Sequence, residues 1–342
     1  KNKKIDATAI ASKNGGECIV FDTINYISDE YFLQRSLENK DVNSEEYSFK
    51  PKKLDNLKVA RLFLKADMKK QSRNIYYCSN DLVTDSNLKV KTISSCRTRL
   101  CPYCSWRKSV KTYSVVKKIC QYLQGNIKGD YVFVTLTIKN VQSDELSSCI
   151  DSLLQAWHKF YRTKRISSSF DGSLRVLEIT YNEQKNTYHP HLHVLFHTVN
   201  DYFSNQYITQ RELVELWRDS LKVNYYPICH IEGFRSNNAD ELSKSIAEVS
   251  KYTVKYTDIL NMKKNDAEKA EILKNLFLNL QGRRLLSFTG VLKKAKKYLE
   301  LDEEDYTGVI DDDVNEIERQ FKWVYTKQNY YEINDCTGGV GH

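Results

Sequence analysis

Apolar positions recur along this chain at two periods, and together they divide it into helices and strands. Leu54, Leu57, Ala60, Leu62 and Leu64 give helical spacing over residues 54–68. A second helical stripe starts at Trp106 and runs through Val110, Tyr113, Val116, Cys120 and Leu123 to Gly125. Residues 131–138 switch to strict alternation, with Val132, Val134, Leu136 and Ile138 opposite Phe133, Thr135 and Thr137. Leu146, Ile150, Leu153, Trp157 and Phe160 line one side of a helix over residues 143–161. Residues 174–181 read as a strand, 182–186 as a polar turn, and 188–196 as a strand pairing back in a hairpin. Thr209-Gln210-Arg211-Glu212 is a capping box opening a helix that carries Leu213, Trp217 and Leu221. A strand at 228–234 and a long helix at 239–258 follow, then helices at 267–280 and 291–299 and an aromatic, strand-like end at 321–333. The first fifty residues are weakly patterned, with one short strand at 18–21. This order implies an α+β fold: one antiparallel sheet with helices on a face.

The strand at 188–196 puts Leu192, Val194 and Phe196 on one face and His189, His191 and His193 on the other. Three of the chain's seven histidines therefore share one face of one strand. A lone histidine there would be an ordinary surface or core residue. Three together suit metal binding or catalysis, because imidazole is the commonest metal ligand and titrates near neutrality. The preceding strand carries Glu178 where a core-facing position would be apolar. With the turn at 182–186, Glu178 falls nearly opposite His193. A His-His-Glu set suits a divalent ion such as Mn²⁺ or Mg²⁺ and leaves coordination positions open; a solvated strand face is the plainer reading of Glu178. In the helix at 239–258, Glu248 and Tyr252 fall one turn apart, with Lys255 and Tyr256 continuing that side. These residues are either a polar helix face or the parts for phosphoryl transfer: nucleophile, base and phosphate clamp.

Composition narrows the class. With 342 residues, 41% hydrophobic and 28% charged, the chain can bury cores for two domains, or for one with appendages. The balance of 52 Lys+Arg against 44 Asp+Glu is mildly basic, and the acidic runs sit late, at 301–305 and 311–313. The 23 tyrosines interleave with Lys and Arg in a way that suits stacking on unpaired bases, although core packing accounts for most of them. No apolar run approaches the ~20 residues needed to cross a bilayer. The Lys-rich start lacks an apolar signal core. These features point to a soluble, cytoplasmic protein and make a disulfide framework unlikely for the nine cysteines. Four of them, Cys78, Cys96, Cys101 and Cys104, are spaced C-x17-C-x4-C-x2-C with a Cys-Pro-Tyr-Cys knuckle, a pattern that fits a structural, ribbon-like Zn²⁺ site. Unrelated reduced thiols are the alternative; a thioredoxin-like pair lacks its βαβ surroundings. Arg97, Arg99, Arg107, Lys108 and Lys111 make this knuckle basic and suited to phosphates.

Taken together, these motifs resemble the replication initiators of rolling-circle plasmids, the group represented by small staphylococcal plasmids, within the His-hydrophobic-His (HUH) endonucleases. Phe133-Val134-Thr135-Leu136-Thr137-Ile138-Lys139-Asn140 is similar to the first motif of that family, and His191-Leu192-His193 is its metal motif. Glu248-x-x-x-Tyr252-x-x-Lys255 is similar to the third motif, and the Cys knuckle and the segment 284–290 also match. The resemblance covers about residues 57–301. It implies a ferredoxin- or RRM-like sheet for the endonuclease domain. It implies that Tyr252 attacks a phosphodiester at the double-strand origin, leaving a 5′-phosphotyrosine and a free 3′-OH. The ion would be held by His191, His193 and Glu178, with His189 as a neighbour; Lys255 would favour the phenolate, and Glu248 would activate water for the terminating cleavage. The expected organisation is an arm at 1–52, a zinc-binding element at 53–108, the endonuclease at 109–260, and a mainly helical region at 261–342 for origin binding or oligomerisation. The expected partners are plasmid origin DNA, single-stranded or in a hairpin at the nick, and host helicase and polymerase, in a bacterial cytoplasm without membrane attachment; a homodimer is left open. A transposase or mobilisation relaxase, and a non-catalytic zinc-containing DNA-binding regulator, are the competing readings.

Overall fold

The computed structural model describes residues 50–86, 90–251, 253–301 and 318–333. The strand expected at 18–21, most of the acidic stretch after Leu301 and Tyr252 lie outside the described residues. The chain enters through α1 (Lys50–Lys65) and α2 (Lys69–Tyr77), which bury Leu57, Leu62, Phe63 and Ile75. Strands β1 (Asp81–Thr84) and β2 (Val90–Ile93) follow as a short antiparallel pair. Next come α3 (Pro102–Asn126), β3 (Tyr131–Thr137), α4 (Leu146–Arg162) and the short α5 (Lys164–Ser169). The hairpin is β4 (Phe170–Asn182) with β5 (Thr187–Thr198), followed by α6 (Gln210–Leu221), β6 (Cys229–Phe234) and α7 (Ala239–Val249). The remainder is α8 (Tyr256–Asn261), α9 (Asp266–Leu280), β7 (Leu286–Thr289), α10 (Gly290–Tyr298), β8 (Arg319–Val324) and β9 (Asn329–Glu332).

The α+β expectation holds, with two antiparallel sheets. The central one runs β6-β3-β5-β4-β7 and the smaller one β2-β1-β8-β9. The stretch from 261 onward thus divides: β7 closes one edge of the central sheet, and β8–β9 completes the small sheet beside the cysteines. The expectation of helices on one face is corrected, because helices cover both. Val134, Leu136, Leu192, Val194 and Phe196 pack with Ile150, Leu153, Trp157 and Phe160 of α4 and with Trp217 of α6. On the opposite face Tyr131, Leu174, Val176 and Leu195 meet Val116, Ile119 and Leu123 of α3, Ile246 and Val249 of α7, and Leu292 of α10. The histidine face is therefore apolar at one end and polar at the other, and both facts are written in its alternation.

Three further details differ from expectation. Thr209 accepts from the Glu212 amide, but the Glu212 carboxylate turns to Arg165 at 2.6 Å, so only half of the capping box forms. The 284–290 segment contributes a strand, β7, that the sequence pattern did not give. Most consequential, the helix expected over 239–258 stops at Val249. Val249 packs in the core on the histidine face, whereas Val254, Tyr256 and Ile259 belong to the other core. The chain must pass round the end of the sheet between them, and a continuous helix cannot. After the helix, the Ile179 amide donates to the Thr253 carbonyl at 2.8 Å, fixing that residue against β4.

A candidate metal centre at the polar end of the sheet

The site begins with a hairpin. Asn182 pairs with Thr187, and the four-residue loop between them places Asn186 at φ 51 while the Lys185 amide donates to Asn182 Oδ1. That closure sets Glu178 directly opposite His191, with His193 opposite Val176. The expected pairing of Glu178 with His193 is thus off by two residues. Because side chains alternate with period two, an even slip keeps every residue on its face. Glu178 still reaches both imidazoles: its Oε2 lies 2.9 Å from His193 Nε2 and 3.5 Å from His191 Nε2. The three ligand atoms lie within 4.8 Å of one another. Adjacent ligands around an ion bound at about 2.1 Å stand about 3 Å apart, so the donor set fits a divalent cation.

All three side chains are shielded, with Glu178 at 4% exposure and both histidines at 8%. Burial opposes ionisation of Glu178, but hydrogen bonds and charge from His191 and His193 outweigh it and hold the carboxyl well below the usual range. The remaining ring nitrogens are tied back. His191 Nδ1 donates to the His189 carbonyl at 3.1 Å, which turns Nε2 toward Glu178. His193 Nδ1 lies 3.2 Å from Thr135 Oγ1, and Phe133 stacks on its ring at 5.6 Å. Such outer contacts fix ligand rotation and tautomer. His189 stays outside the set: its Nδ1 lies 2.7 Å from Asn140 Oδ1, and burial, reinforced by His191, lowers its pKa. Sequence reasoning gave Thr135, Phe133 and Asn140 no role. Their signal is positional, since Phe133 and Thr135 lie on the strand face that the histidines occupy one strand over.

One side of the set is bordered by charged residues. Glu248, in the last turn of α7, has Oε1 3.9 Å from His193 Nε2 and pairs with Lys251. Lys255 Nζ stands 3.8 Å from Glu178 Oε1. The helix expected to carry both Glu248 and Tyr252 ends at Val249. Tyr252 itself lies outside the described residues; Lys251 pairs with Glu248, and the Thr253 carbonyl accepts from the Ile179 amide of β4. Tyr256 points away: it is buried in the other core, and its hydroxyl takes a hydrogen bond from Lys52 Nζ at 3.1 Å.

The second group is the cysteine cluster. Cys78 follows α2, Cys96 and Cys101 flank a tight loop with Arg97 and Leu100 at φ 53 and 65, and Cys104 lies in the first turn of α3. Cys104 Sγ is 3.5 Å from Cys78 Sγ and 3.8 Å from Cys96 Sγ, and all four sulfurs lie within 4.8 Å. Sulfurs around tetrahedral zinc are about 3.8 Å apart, given Zn–S near 2.3 Å, so the four cysteines fit one such ion. Hydrogen bonds from the other three sulfurs pull the Cys104 thiol far down, while burial pushes Cys101 far up. Beneath them Lys53 is fully buried and donates to the Tyr76 and Cys78 carbonyls, both at 2.7 Å, and to Asn80 Oδ1. Of the basic residues expected to face phosphates, Arg97 and Lys108 are exposed and Lys111 is half-buried. Arg99 donates to the Leu280 and Arg283 carbonyls at the end of α9, and Arg107 is half-buried.

With this geometry in view, the comparisons with known proteins fall on one family. The family model described as Replication protein matches residues 87–331. The chain belongs to the plasmid replication-initiator family. "Protein rep" of Lactiplantibacillus plantarum is 34% identical over 320 residues, covering 87% of this chain and 99% of that protein. "Protein rep" of Streptococcus pneumoniae serotype 2 is 30% identical over 321 residues, covering 90% and 97%. A Staphylococcus aureus "Protein rep" is 36% identical over 174 residues, covering 50% and 74%. No solved structure matches. No helix among the described residues of this initiator-family chain is long and apolar enough to cross a membrane.

Proposed function

We propose that this chain starts rolling-circle replication by nicking one strand of a plasmid origin through a tyrosine nucleophile. The observation that carries the reading is the convergence of Glu178, His191 and His193 on one point with Glu248 and Lys255 at its border, in a member of a replication-protein family. Mn²⁺ or Mg²⁺ held by Glu178 and the two Nε2 atoms would polarise the scissile phosphate. His191 holds its donor atom ready through the carbonyl of His189.

Tyr252 gives up its phenolic proton, and its oxygen attacks phosphorus. The bond from phosphorus to the 3′-oxygen breaks, that oxygen takes a proton, and the result is a 5′-phosphotyrosine plus a 3′-OH able to prime synthesis. Phenol ionises near pH 10 in water, so the Lys255 ammonium beside the site favours the phenolate. Glu248 takes the proton from water in the closing hydrolysis; its 3.9 Å approach to His193 supports that role. The cysteine cluster carries a structural Zn²⁺.

The test is incubation with a labelled single-stranded origin oligonucleotide and Mn²⁺. Wild type forms a covalent adduct, and mass spectrometry locates it on Tyr252. Tyr252→Phe abolishes it; an adduct that survives in this variant sinks the nucleophile assignment. Glu248→Ala retains nicking but loses hydrolytic release, and equal loss of both removes the base role. DNA binding without metal and without adduct points to a non-catalytic regulator instead.

A further inference from the structure

Beside the metal centre, the segment between α6 and β6 displays rings and an aliphatic side chain to solvent. Tyr226 is 69% exposed and Ile228 82%. Adjacent exposed apolar groups of this size mark an interaction surface more often than accident. Cations accompany the rings. Lys139 Nζ lies 4.1 Å from the centroid of Tyr225, and the Lys139 amide donates to the Tyr225 hydroxyl at 3.1 Å. The Arg218 guanidinium lies 4.7 Å from the centroid of Tyr226. Arg218 also approaches the exposed Asp219 at 3.6 Å, a weak surface pair.

The segment is anchored at its inner end. Thr137 Oγ1 donates to the Ile228 carbonyl at 2.5 Å, and Thr137 is the residue that faces His191 across the β3–β5 ladder. Asn140, next to Lys139, holds His189. The ledge therefore starts where the metal ligands stop.

Rings with flanking cations match one chemistry: unpaired bases, which offer π faces, joined by phosphates, which seek cations. A duplex hides those base faces in its own stack. We propose that Tyr225, Tyr226 and Ile228, with Lys139 and Arg218, form a stacking ledge for the unpaired bases next to the scissile phosphate. The idea rests on the nicking reading for which phosphate lies at its inner end, but not for its affinity.

The experiment uses the full, zinc-loaded chain without added Mn²⁺ or Mg²⁺, so that no cleavage occurs, and fluorescence anisotropy of a short labelled oligothymidylate and of a duplex of equal length. Stacking on one ring is worth about 1–3 kcal/mol per base, so Tyr226→Ala weakens the single strand by roughly fivefold or more. Tyr226→Phe keeps the π face and stays within about twofold of wild type. Lys139→Ala and Ile228→Ala supply independent losses should Tyr226→Ala fold poorly. Duplex affinity changes little throughout. The ledge is overturned if the single strand is bound equally by all variants, if duplex and single strand weaken together, or if wild type ignores the single strand, which would leave the surface to a protein partner. Adduct formation by wild type on the origin oligonucleotide separates the two ideas. An adduct with Tyr226-independent binding removes only the ledge; Tyr226-dependent binding with no adduct removes only the nicking reading.

Discussion

The two ligand sets differ in how the chain assembles them. Glu178, His191 and His193 come from one hairpin, so local register alone brings them together. Cys78 caps the end of α2 and Cys104 lies in the first turn of α3, and their surroundings are drawn from both ends of the described chain. Tyr325 donates to the Tyr76 carbonyl and to Asn80 Oδ1, and the Tyr330 hydroxyl donates to the Ser79 carbonyl. Lys53 of α1 reaches the carbonyls of Tyr76 and Cys78. Four sulfurs complete a tetrahedron and leave no position for a substrate, whereas three ligands bordered by Glu248 and Lys255 leave room. That geometry suits one set to holding chain segments together and the other to meeting a ligand, as proposed above.

The sharpest way to break this contrast is to remove one ligand from each. Cys104→Ser should release zinc, whose binding to such sites supplies on the order of 10 kcal/mol to folding. Its melting temperature should fall by more than about 10 °C, with less than half an equivalent of zinc by atomic spectroscopy. His193→Ala should leave zinc content and melting almost unchanged while cutting adduct formation at least about 100-fold. If His193→Ala melts as early as Cys104→Ser, both sets are structural and the contrast fails.

The same contrast explains what the sequence made legible. The hairpin ligands were readable because a strand's period is two: the register estimate missed by two residues, and the face assignment survived. The cysteine spacing picked out the four residues whose sulfurs lie within 4.8 Å, but β8 could not be matched to β1 from pattern alone, since their pairing joins residues more than two hundred positions apart. The length of the helix expected over 239–258 misled for a related reason. Helical periodicity persists locally through 239–258, while Val249 and Val254 belong to different cores, a fact of the whole fold. Lys53 carried no signal, because a lysine in a basic amphipathic segment reads as surface.

That lysine offers a test of intermediate size. Burial pulls Lys53 down to about 7, against the opposing charge of the cysteine sulfurs. The unfolded chain therefore holds a proton between about pH 7 and 10.5 that the folded chain has released. Stability due to this group rises with pH across that window and is lost as pH falls. Denaturant titrations at fixed zinc should show wild type gaining on Lys53→Met from pH 7 to pH 10. A difference that stays flat with pH would mean that Lys53 is charged in the folded state throughout.

The smallest effect should come from behind the open set. Thr135 Oγ1 lies 3.2 Å from His193 Nδ1, on the side of the ring away from Glu178. Thr135→Val keeps the shape and β-branching of the side chain and removes only that oxygen, so the fold and the zinc content should not change. Contacts of this kind are worth roughly 10- to 100-fold in metal affinity, and a half-exposed threonine belongs at the lower end. Manganese titration followed by electron paramagnetic resonance should therefore show affinity about tenfold weaker, with adduct formation rescued at high Mn²⁺. Rescue distinguishes a residue that orients a ligand from one that touches the DNA: if the adduct stays low at saturating Mn²⁺, Thr135 acts on the strand itself and the reach of the metal centre extends across β3.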